Sequence, residues 1–201
     1  MKYREMAGER ISVLGFGCMR FPTTSKNAED IDAEKSAKML EYAIENGVNY
    51  FDTAYVYHGG KSESFIGGVL KPYRDKIHIA TKCPTWEVKC EEDFDRLLNE
   101  QLERLQTDYI DFYLMHALDK DRFKKVVEKF NLIDKLNKAK ADGKIRHIGF
   151  SFHDDVETLK KIIDANPNWE FCQIQLNFLD WEFQDAKSKV KVLNERSIPI
   201  W

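Results

Sequence analysis

The chain has 201 residues, of which 43% are hydrophobic and 32% are charged, and its formal net charge at pH 7 is −3. This length suits one folded domain over residues 1–201, and the balance is globular rather than disordered. The small negative charge excludes a basic footprint for nucleic acid, and no apolar run approaches the ~20 residues of a membrane span. The N-terminus also lacks the apolar segment of a signal peptide.

The four cysteines are scattered along the chain, at Cys18, Cys83, Cys90 and Cys172. They show no C-x-x-C spacing, so the pattern indicates neither a disulfide framework nor a metal site. Reduced thiols in a cytoplasmic protein are the simplest interpretation.

Short apolar runs typical of buried strands recur along the chain. Residues 3–6 and 10–12, on either side of Gly8, predict a short N-terminal β-hairpin. Seven further strand candidates follow in chain order. They cover residues 13–17, 50–51, 77–80, 110–115, 148–150, 171–176 and 198–201.

Four segments between these runs carry apolar residues at helical spacing, within residues 33–44, 94–105, 130–139 and 159–163. Each step from one strand candidate to the next covers about 25–35 residues, the size of a βαβ unit. This alternation predicts an α/β fold with a parallel sheet. We expect an incomplete (β/α)8 TIM barrel with about six and a half βα units, and a doubly wound open sheet is the alternative.

Polar residues lie at or just after the ends of consecutive strand candidates. Asp52 ends the second strand and Tyr57 follows in the next loop, while Lys82 ends the third strand and His116 the fourth. Taken singly, each has an ordinary structural explanation as a cap, a turn former or a packed side chain. In a parallel barrel, however, the carboxyl ends of all strands share one face, where barrel active sites lie. Their shared placement therefore favours an active site.

These four side chains fit the reduction of a carbonyl group, which needs hydride at carbon and a proton at oxygen. A tyrosine with the ordinary pKa of about 10 is an inefficient acid near neutrality. A nearby ammonium group lowers such a pKa by about 1–3 units, which gives Lys82 a role beside Tyr57. Asp52 would keep the lysine charged, and His116 would orient the carbonyl oxygen.

The stretch VNYFDTAYVYHG, residues 48–59, resembles the signature of the aldo-keto reductase family. Asp52 and Tyr57 stand at the family's Asp and Tyr, Lys82 at its Lys and His116 at its His. The resemblance implies a TIM-barrel oxidoreductase that reduces an aldehyde or ketone with hydride from NAD(P)H. In that enzyme Tyr57 is the proton donor.

The resemblance also implies cofactor contacts. Ser151 and Gln173 stand at positions that bind the nicotinamide carboxamide, and Met19 and Arg20 resemble a loop that borders the nicotinamide. The Asn that usually follows the family's Ser is absent, and the role of His153 nearby is left open. The expected cofactor is NADPH, and NADH is not excluded.

The strand candidate that contains Gln173 has two further polar residues on the same face. Period-two alternation places Gln175 and Asn177 beside Gln173. Such a face serves a cofactor or forms a polar ladder inside a barrel. Both interpretations are open for Gln175 and Asn177.

In the family, the barrel closes with a seventh and an eighth strand, whereas this chain ends at Trp201, inside the expected seventh. The absent part normally supplies loops that hold the cofactor's phosphates. Open strand edges would favour self-association. Residues 15–20 and 149–155 are similar to a bacterial branch that often carries a C-terminal ferredoxin-like domain. An iron–sulfur cluster is therefore expected only if such a domain follows.

Two functions of other classes stay open at this point. The first is a catalytically silent barrel fragment with an assembly or vestigial role. The second is a metal-dependent barrel hydrolase that uses His116, Asp52 and His78, although no H-x-H spacing supports it and we predict no metal site. The identity of the carbonyl substrate does not follow from the residues.

Overall fold

The computed structural model describes residues 1–201 and contains an antiparallel hairpin and a six-stranded parallel sheet. The strands are β1 (Tyr3–Met6), β2 (Glu9–Ser12), β3 (Phe16–Gly17), β4 (Tyr50–Asp52), β5 (His78–Cys83), β6 (Ile110–Leu118), β7 (Ile145–Phe152) and β8 (Phe171–Ile174). The helices are α1 (Ala33–Glu45), α2 (Lys61–Leu70), α3 (Glu92–Leu105), α4 (Lys120–Arg122), α5 (Leu132–Ala141), α6 (Val156–Ala165), α7 (Asp180–Phe183) and α8 (Ala186–Glu195).

The order of the strands decides between the two predicted architectures. Strands β3 to β8 are neighbours in strict chain order and all pairs are parallel. A doubly wound sheet would reverse its order at a switch point, so the barrel prediction is confirmed. A hydrogen bond across the sheet shows that the sheet curls. Gln173 Nε2 on β8 donates to Asp52 Oδ2 on β4 at 3.4 Å, although three strands lie between β4 and β8. The curl is incomplete, with β3 and β8 at its edges.

A small aromatic cluster fills the interior of the curled sheet. The ring of Trp201 stacks on Tyr50 at 4.3 Å between centroids and meets Phe171 in a T-shaped contact at 5.7 Å. A Cβ at Gly149 would lie 2.6 Å from the carbonyl oxygen of Phe171, so only glycine admits this close approach. Because Tyr50 and Phe171 come from β4 and β8, their contacts with Trp201 stabilise the curl.

The larger apolar core lies between the sheet and the outer helices. Fully buried side chains on five helices contribute to it: Leu40, Leu98, Leu136, Ile162 and Leu193. Each such burial stabilises the fold by about 1.5–3 kcal/mol. The sequence predicted α1, α3, α5 and α6 through their apolar stripes, but it missed α2, α8 and the short helices α4 and α7.

Two strand predictions are wrong at their ends. The first strand is only Phe16–Gly17, because the Val13 N–H donates to the carbonyl of Lys2 at 2.9 Å and so joins the N-terminal segment instead. Val13 is 58% exposed. The sixth strand ends at Ile174, so alternation does not place Asn177 inside the barrel. Asn177 Oδ1 instead accepts hydrogen bonds from backbone N–H groups at the start of α7.

The predicted seventh strand forms only an isolated parallel bridge between Cys172 and Ile200. The Trp201 N–H donates to the carbonyl of Cys172 at 3.0 Å, which continues the sheet by a short step. The hairpin around Gly8 is confirmed, with β1 paired antiparallel to β2. No helix of the structure combines the length and apolar character needed to cross a bilayer.

Candidate active site

A cleft of about 560 Å³ opens at the carboxyl ends of the parallel strands. Its walls contain all eight residues that the sequence placed at the site, together with His153, Ile174, Gln175 and Trp201. The eight are Met19, Arg20, Asp52, Tyr57, Lys82, His116, Ser151 and Gln173. Residues up to 154 positions apart in the sequence thus share one surface, because successive parallel strands end side by side.

Lys82 lies at the centre of this arrangement and is only 2% exposed. Its Nζ donates to Asp52 Oδ1 at 2.6 Å and to the carbonyl oxygen of Thr53 at 2.7 Å. The same nitrogen lies 3.4 Å from the hydroxyl oxygen of Tyr57. The buried ammonium group therefore has the paired and hydrogen-bonded surroundings that a buried charge requires.

Lys82 keeps its charge in spite of its burial. Burial lowers the pKa of Lys82, but the carboxylate of Asp52 and then Tyr57 raise it by more, so that the pKa lies above the ordinary value. Lys82 is therefore an ammonium ion at physiological pH. Removing Asp52 would leave the desolvation of Lys82 without its main compensation.

Tyr57 begins the turn Tyr57–Gly60 that follows β4. Its hydroxyl group makes one hydrogen bond, with Lys82 Nζ, and its ring centroid lies 5.0 Å from the same nitrogen. The ring of His116 meets the phenol ring edge-on at 6.3 Å between centroids. The phenol thus lies beside both the ammonium group and the imidazole.

His116 is neutral in this environment. Burial, and then nearby positive charges of which Lys82 is the first, lower the pKa of His116 to about 3. Its Nδ1 is buried without a hydrogen-bond partner, which leaves Nε2 as the nitrogen open to the cleft. A neutral imidazole at this position can hydrogen-bond a polar ligand without adding a charge.

Ser151 and Gln173 are direct partners in the register between β7 and β8. Ser151 Oγ accepts a hydrogen bond from the Ala117 N–H at 2.7 Å, so its own hydroxyl hydrogen is available to a ligand. Gln173 donates from Nε2 to Asp52, and its Oε1 is free to accept. The pair thus presents one donor and one acceptor, which are the partners that a carboxamide group needs.

Met19 and Arg20 follow β3 on an exposed loop, and both line the same cleft. This loop is tied to β4, because the Cys18 N–H donates to the carbonyl of Asp52 at 2.7 Å. The loop therefore starts beside the carboxylate that pairs with Lys82.

Sequence reasoning missed the polar cluster behind the cleft, which we call the buried polar wall. Thr81 Oγ1 donates to Glu63 Oε1 at 2.6 Å, and Gln101 Nε2 donates to the same oxygen at 2.6 Å and to the Lys82 carbonyl at 3.1 Å. Tyr113 donates to Gln101 Oε1 at 2.7 Å. The signal in the sequence is that Gln101 interrupts the apolar stripe of α3. The wall consists of Glu63, Thr81, Lys82, Gln101 and Tyr113.

The metal-hydrolase alternative does not fit the structure. His78 lies at the start of β5, where its Nδ1 is 3.8 Å from Asp111 Oδ1, whereas His116 lies near the far end of β6. No three His, Cys, Asp or Glu side chains form a group that could hold a metal ion. The four cysteines are free, and nothing in the structure supports an iron–sulfur site.

Comparison with known proteins identifies the family. Residues 13–200 match the model of the Aldo/keto reductase family. The chain belongs to this family. A probable aldo-keto reductase 1 of Glycine max is 32% identical over 202 residues, which cover 96% of this chain and 55% of the soybean protein.

Solved aldo-keto reductases share the fold. The holo form of AKR11C1 from Bacillus halodurans superposes with a TM-score of 0.82 at 27% identity, covering 100% of this chain and 65% of that one. An aldo-keto reductase from Klebsiella pneumoniae, solved in complex with NADPH, has a TM-score of 0.77 at 20% identity, covering 100% of this chain and 67% of that one. The chain spans about half the length of the curated relatives that it matches.

Proposed function

We propose that this protein is an NAD(P)H-dependent carbonyl reductase that acts on a small aldehyde or ketone, with Tyr57 as the proton donor. One observation carries the proposal. A single buried ammonium group, that of Lys82, contacts both a carboxylate at 2.6 Å and a phenol at 3.4 Å. A neutral imidazole lies beside them in the same cleft, which is the set of groups that carbonyl reduction uses.

Each of the four side chains has a distinct task in the proposed reaction. Tyr57 gives its proton to the carbonyl oxygen, and Lys82 stabilises the negative charge that the phenol acquires. Asp52 holds Lys82 charged. His116, with its proton on Nε2, donates to the carbonyl oxygen and orients it toward Tyr57.

A nicotinamide cofactor supplies the hydride when it is bound. Ser151 and Gln173 would hold its carboxamide through the donor and acceptor described above, and Met19 and Arg20 would border it. NADPH is the first cofactor to test, because the Klebsiella pneumoniae enzyme of the same fold is solved with NADPH. NADH is the second.

The deciding experiment compares the parent with Tyr57→Phe in the protein as its gene encodes it. We expect carbonyl reduction to fall by about 10²–10⁴-fold, since the general acid is lost. NADPH binding, followed by quenching of tryptophan fluorescence, should stay unchanged. Near-normal turnover in the variant would remove Tyr57 from this role. A parent that neither binds NADPH nor turns over would favour the catalytically silent barrel.

The partners and location follow from the same proposal. A small-molecule carbonyl compound is the expected partner. The four free cysteines fit a reducing compartment, and the cytoplasm is therefore the location that we propose. Fractionation of cells that express the protein would test it.

A further inference from the structure

His58 directly follows Tyr57, and the proposed chemistry does not use it. The side chain is buried, with the residue 7% exposed, and the backbone has φ +54°, a left-handed conformation that non-glycine residues rarely adopt. Gly59 and Gly60 continue this left-handed turn with φ +62° and +89°. A non-glycine residue stays in such a conformation only where its surroundings fix it.

Both ring nitrogens of His58 hold the main chain of a distant loop. The Phe21 N–H donates to Nε2 at 3.0 Å, and Nδ1–H donates to the carbonyl oxygen of Ala28 at 2.5 Å. A backbone N–H only donates and a carbonyl only accepts, so the two partners require a neutral ring with its proton on Nδ1. The partners lie 37 and 30 positions away along the chain. His58 therefore joins the loop of residues 18–32 to the turn that carries Tyr57, and we call these two hydrogen bonds the clasp.

This clasp brackets the two loop residues that line the cleft. On one side, Ser62 Oγ donates to the carbonyl of Cys18 at 3.1 Å, and on the other side His58 holds the N–H of Phe21. Met19 and Arg20 are the two residues between these anchors. Both anchors belong to residues 57–62, so one short segment sets the position of the loop and of Tyr57 together.

The side chain of Tyr57 is weakly held by its own contacts. Its hydroxyl has only the 3.4 Å contact with Lys82, which is long for a hydrogen bond. The direction of the phenol therefore depends on the backbone of the left-handed turn. The conformation of this turn depends, for its part, on the two hydrogen bonds of His58.

We propose that His58 is a positioning residue, which fixes Tyr57 and the Met19–Arg20 loop relative to each other. It acts through these groups and does not line the cleft itself. This inference rests on the proposed reductase function. Its consequence is that the loss of His58 changes both turnover and the KM for the cofactor, since one residue holds the proton donor and the cofactor loop.

The contact itself can be tested in the 201-residue chain without any activity. Side-chain nitrogen NMR should show a neutral histidine with its proton on Nδ1 whose signals are assigned to His58 by their loss in His58→Gln. The Tyr57 Cζ resonance, assigned with Tyr57→Phe, should shift in His58→Ala. A His58 ring protonated on Nε2, or a Tyr57 resonance unchanged in His58→Ala, would overturn the proposal.

Kinetics test the consequence in the protein as its gene encodes it. In His58→Ala we expect kcat to fall by about 10²-fold, the cost of misplacing a reacting group by about 1 Å, and the KM for NADPH to rise. His58→Gln should recover part of kcat, because its amide oxygen can accept from Phe21. If His58→Ala does not fold, His58→Gln and His58→Asn provide the same comparison.

Tyr3→Phe is the matched control, because it removes one hydrogen bond, to the Gly47 carbonyl, away from the cleft. It should leave kcat and KM unchanged. Folded His58 variants with parental kcat and KM would refute the positioning role. If the parent shows no turnover, the proposed function fails, and the kinetic role of His58 fails with it. The NMR measurement then decides separately whether the hydrogen bonds of His58 to the loop are formed.

Discussion

Two regions of the molecule reverse the usual placement of polar and apolar side chains. In the buried polar wall, five polar residues, including Glu63 and Lys82, are each at most 2% exposed. In the segment after β8, which we call the apolar loop, five apolar residues are exposed. They are Leu176 (44%), Phe178 (88%), Leu179 (66%), Trp181 (38%) and Phe183 (86%).

The two regions differ in whether their side chains have partners. In the wall, Glu63 accepts from Thr81, Gln101 and Arg104, so the buried carboxyl group is satisfied although burial raises the pKa of Glu63. In the apolar loop, the hydrogen bonds come from the capping residue Asn177 and the backbone, and the apolar side chains face solvent. Removing a partner should therefore cost much in the wall and little in the loop.

The largest effect should follow Lys82→Met, which removes the charge shared by the wall and the cleft. We expect turnover to fall by at least about 10²-fold, because the phenol loses its cation. The free energy of unfolding should fall by about 3 kcal/mol, since the partly buried Asp52 is left unpaired. Steady-state kinetics and urea unfolding measure both. Asp52→Asn should act in the same direction but less. A Lys82→Met pH–rate profile that overlays the parent would contradict this account.

Gln101→Leu should come next, because it removes the acceptor of the Tyr113 hydroxyl, one of the three donors to Glu63 and the side-chain donor to the Lys82 carbonyl. Unsatisfied buried groups cost about 1–3 kcal/mol each, and with local relaxation we expect a loss of about 3 kcal/mol in unfolding free energy. Lys138→Ala is the control, since its pair with Asp142 is solvent-exposed and worth less than about 1 kcal/mol. Equal losses of unfolding free energy in Gln101→Leu and Lys138→Ala would contradict the expected difference between buried and exposed hydrogen bonds.

The neutral state of His116 predicts a pH dependence of smaller size. Because its folded pKa of about 3 lies below the ordinary value of about 6.5, its contribution to stability is present above pH 6.5 and is lost as pH falls toward 3. The slope is at most about 1.4 kcal/mol per pH unit. Urea unfolding at pH 7, 5.5 and 4.5 should show a flatter dependence in His116→Gln. Parallel curves for parent and variant would mean that His116 is not held neutral.

The smallest effect on stability should come from the apolar loop. Replacing Phe178 and Phe183 by Ser should change the unfolding free energy by less than about 0.5 kcal/mol, because both side chains are solvent-exposed. Exposed apolar patches favour association, so we expect the parent to self-associate and this variant to do so less. Light scattering measures the difference. Substituting Val13 and Leu14, exposed beside the edge strand β3, tests whether that edge mediates association instead. A monomeric parent would refute the expectation.

Local sequence determined most of the elements. The apolar stripe within residues 33–44 predicts α1, and the structure adds that Asp32 accepts a hydrogen bond from the Lys35 N–H at the start of this helix. The apolar runs predict the strands, and polar residues such as Lys82 and His116 mark where two of these strands end. Periodicity and capping act within a few residues, so they can be read from the chain directly.

The helix α2 and the short first strand did not follow from the sequence. Gly67 and Gly68 interrupt the apolar pattern of α2, yet a Cβ at Gly67 would lie 2.5 Å from the carbonyl oxygen of Arg104. The glycine at position 67 thus reflects packing against the end of α3, a contact between elements distant in the chain. Val13 reads as a strand residue of the sheet, but its N–H donates to the carbonyl of Lys2 and so joins the N-terminal segment instead.

The sequence by itself determined which residues could do chemistry and that they would share one face, because parallel strands all end on the same side. Only the tertiary structure decided how those residues are held. His116 is neutral because it is buried. The hydrogen bond from Gln101 to the Lys82 carbonyl joins residues 19 positions apart, and the one between Phe21 and His58 joins residues 37 positions apart. Burial and long-range hydrogen bonds are properties of the folded arrangement, and no local pattern in the chain records them.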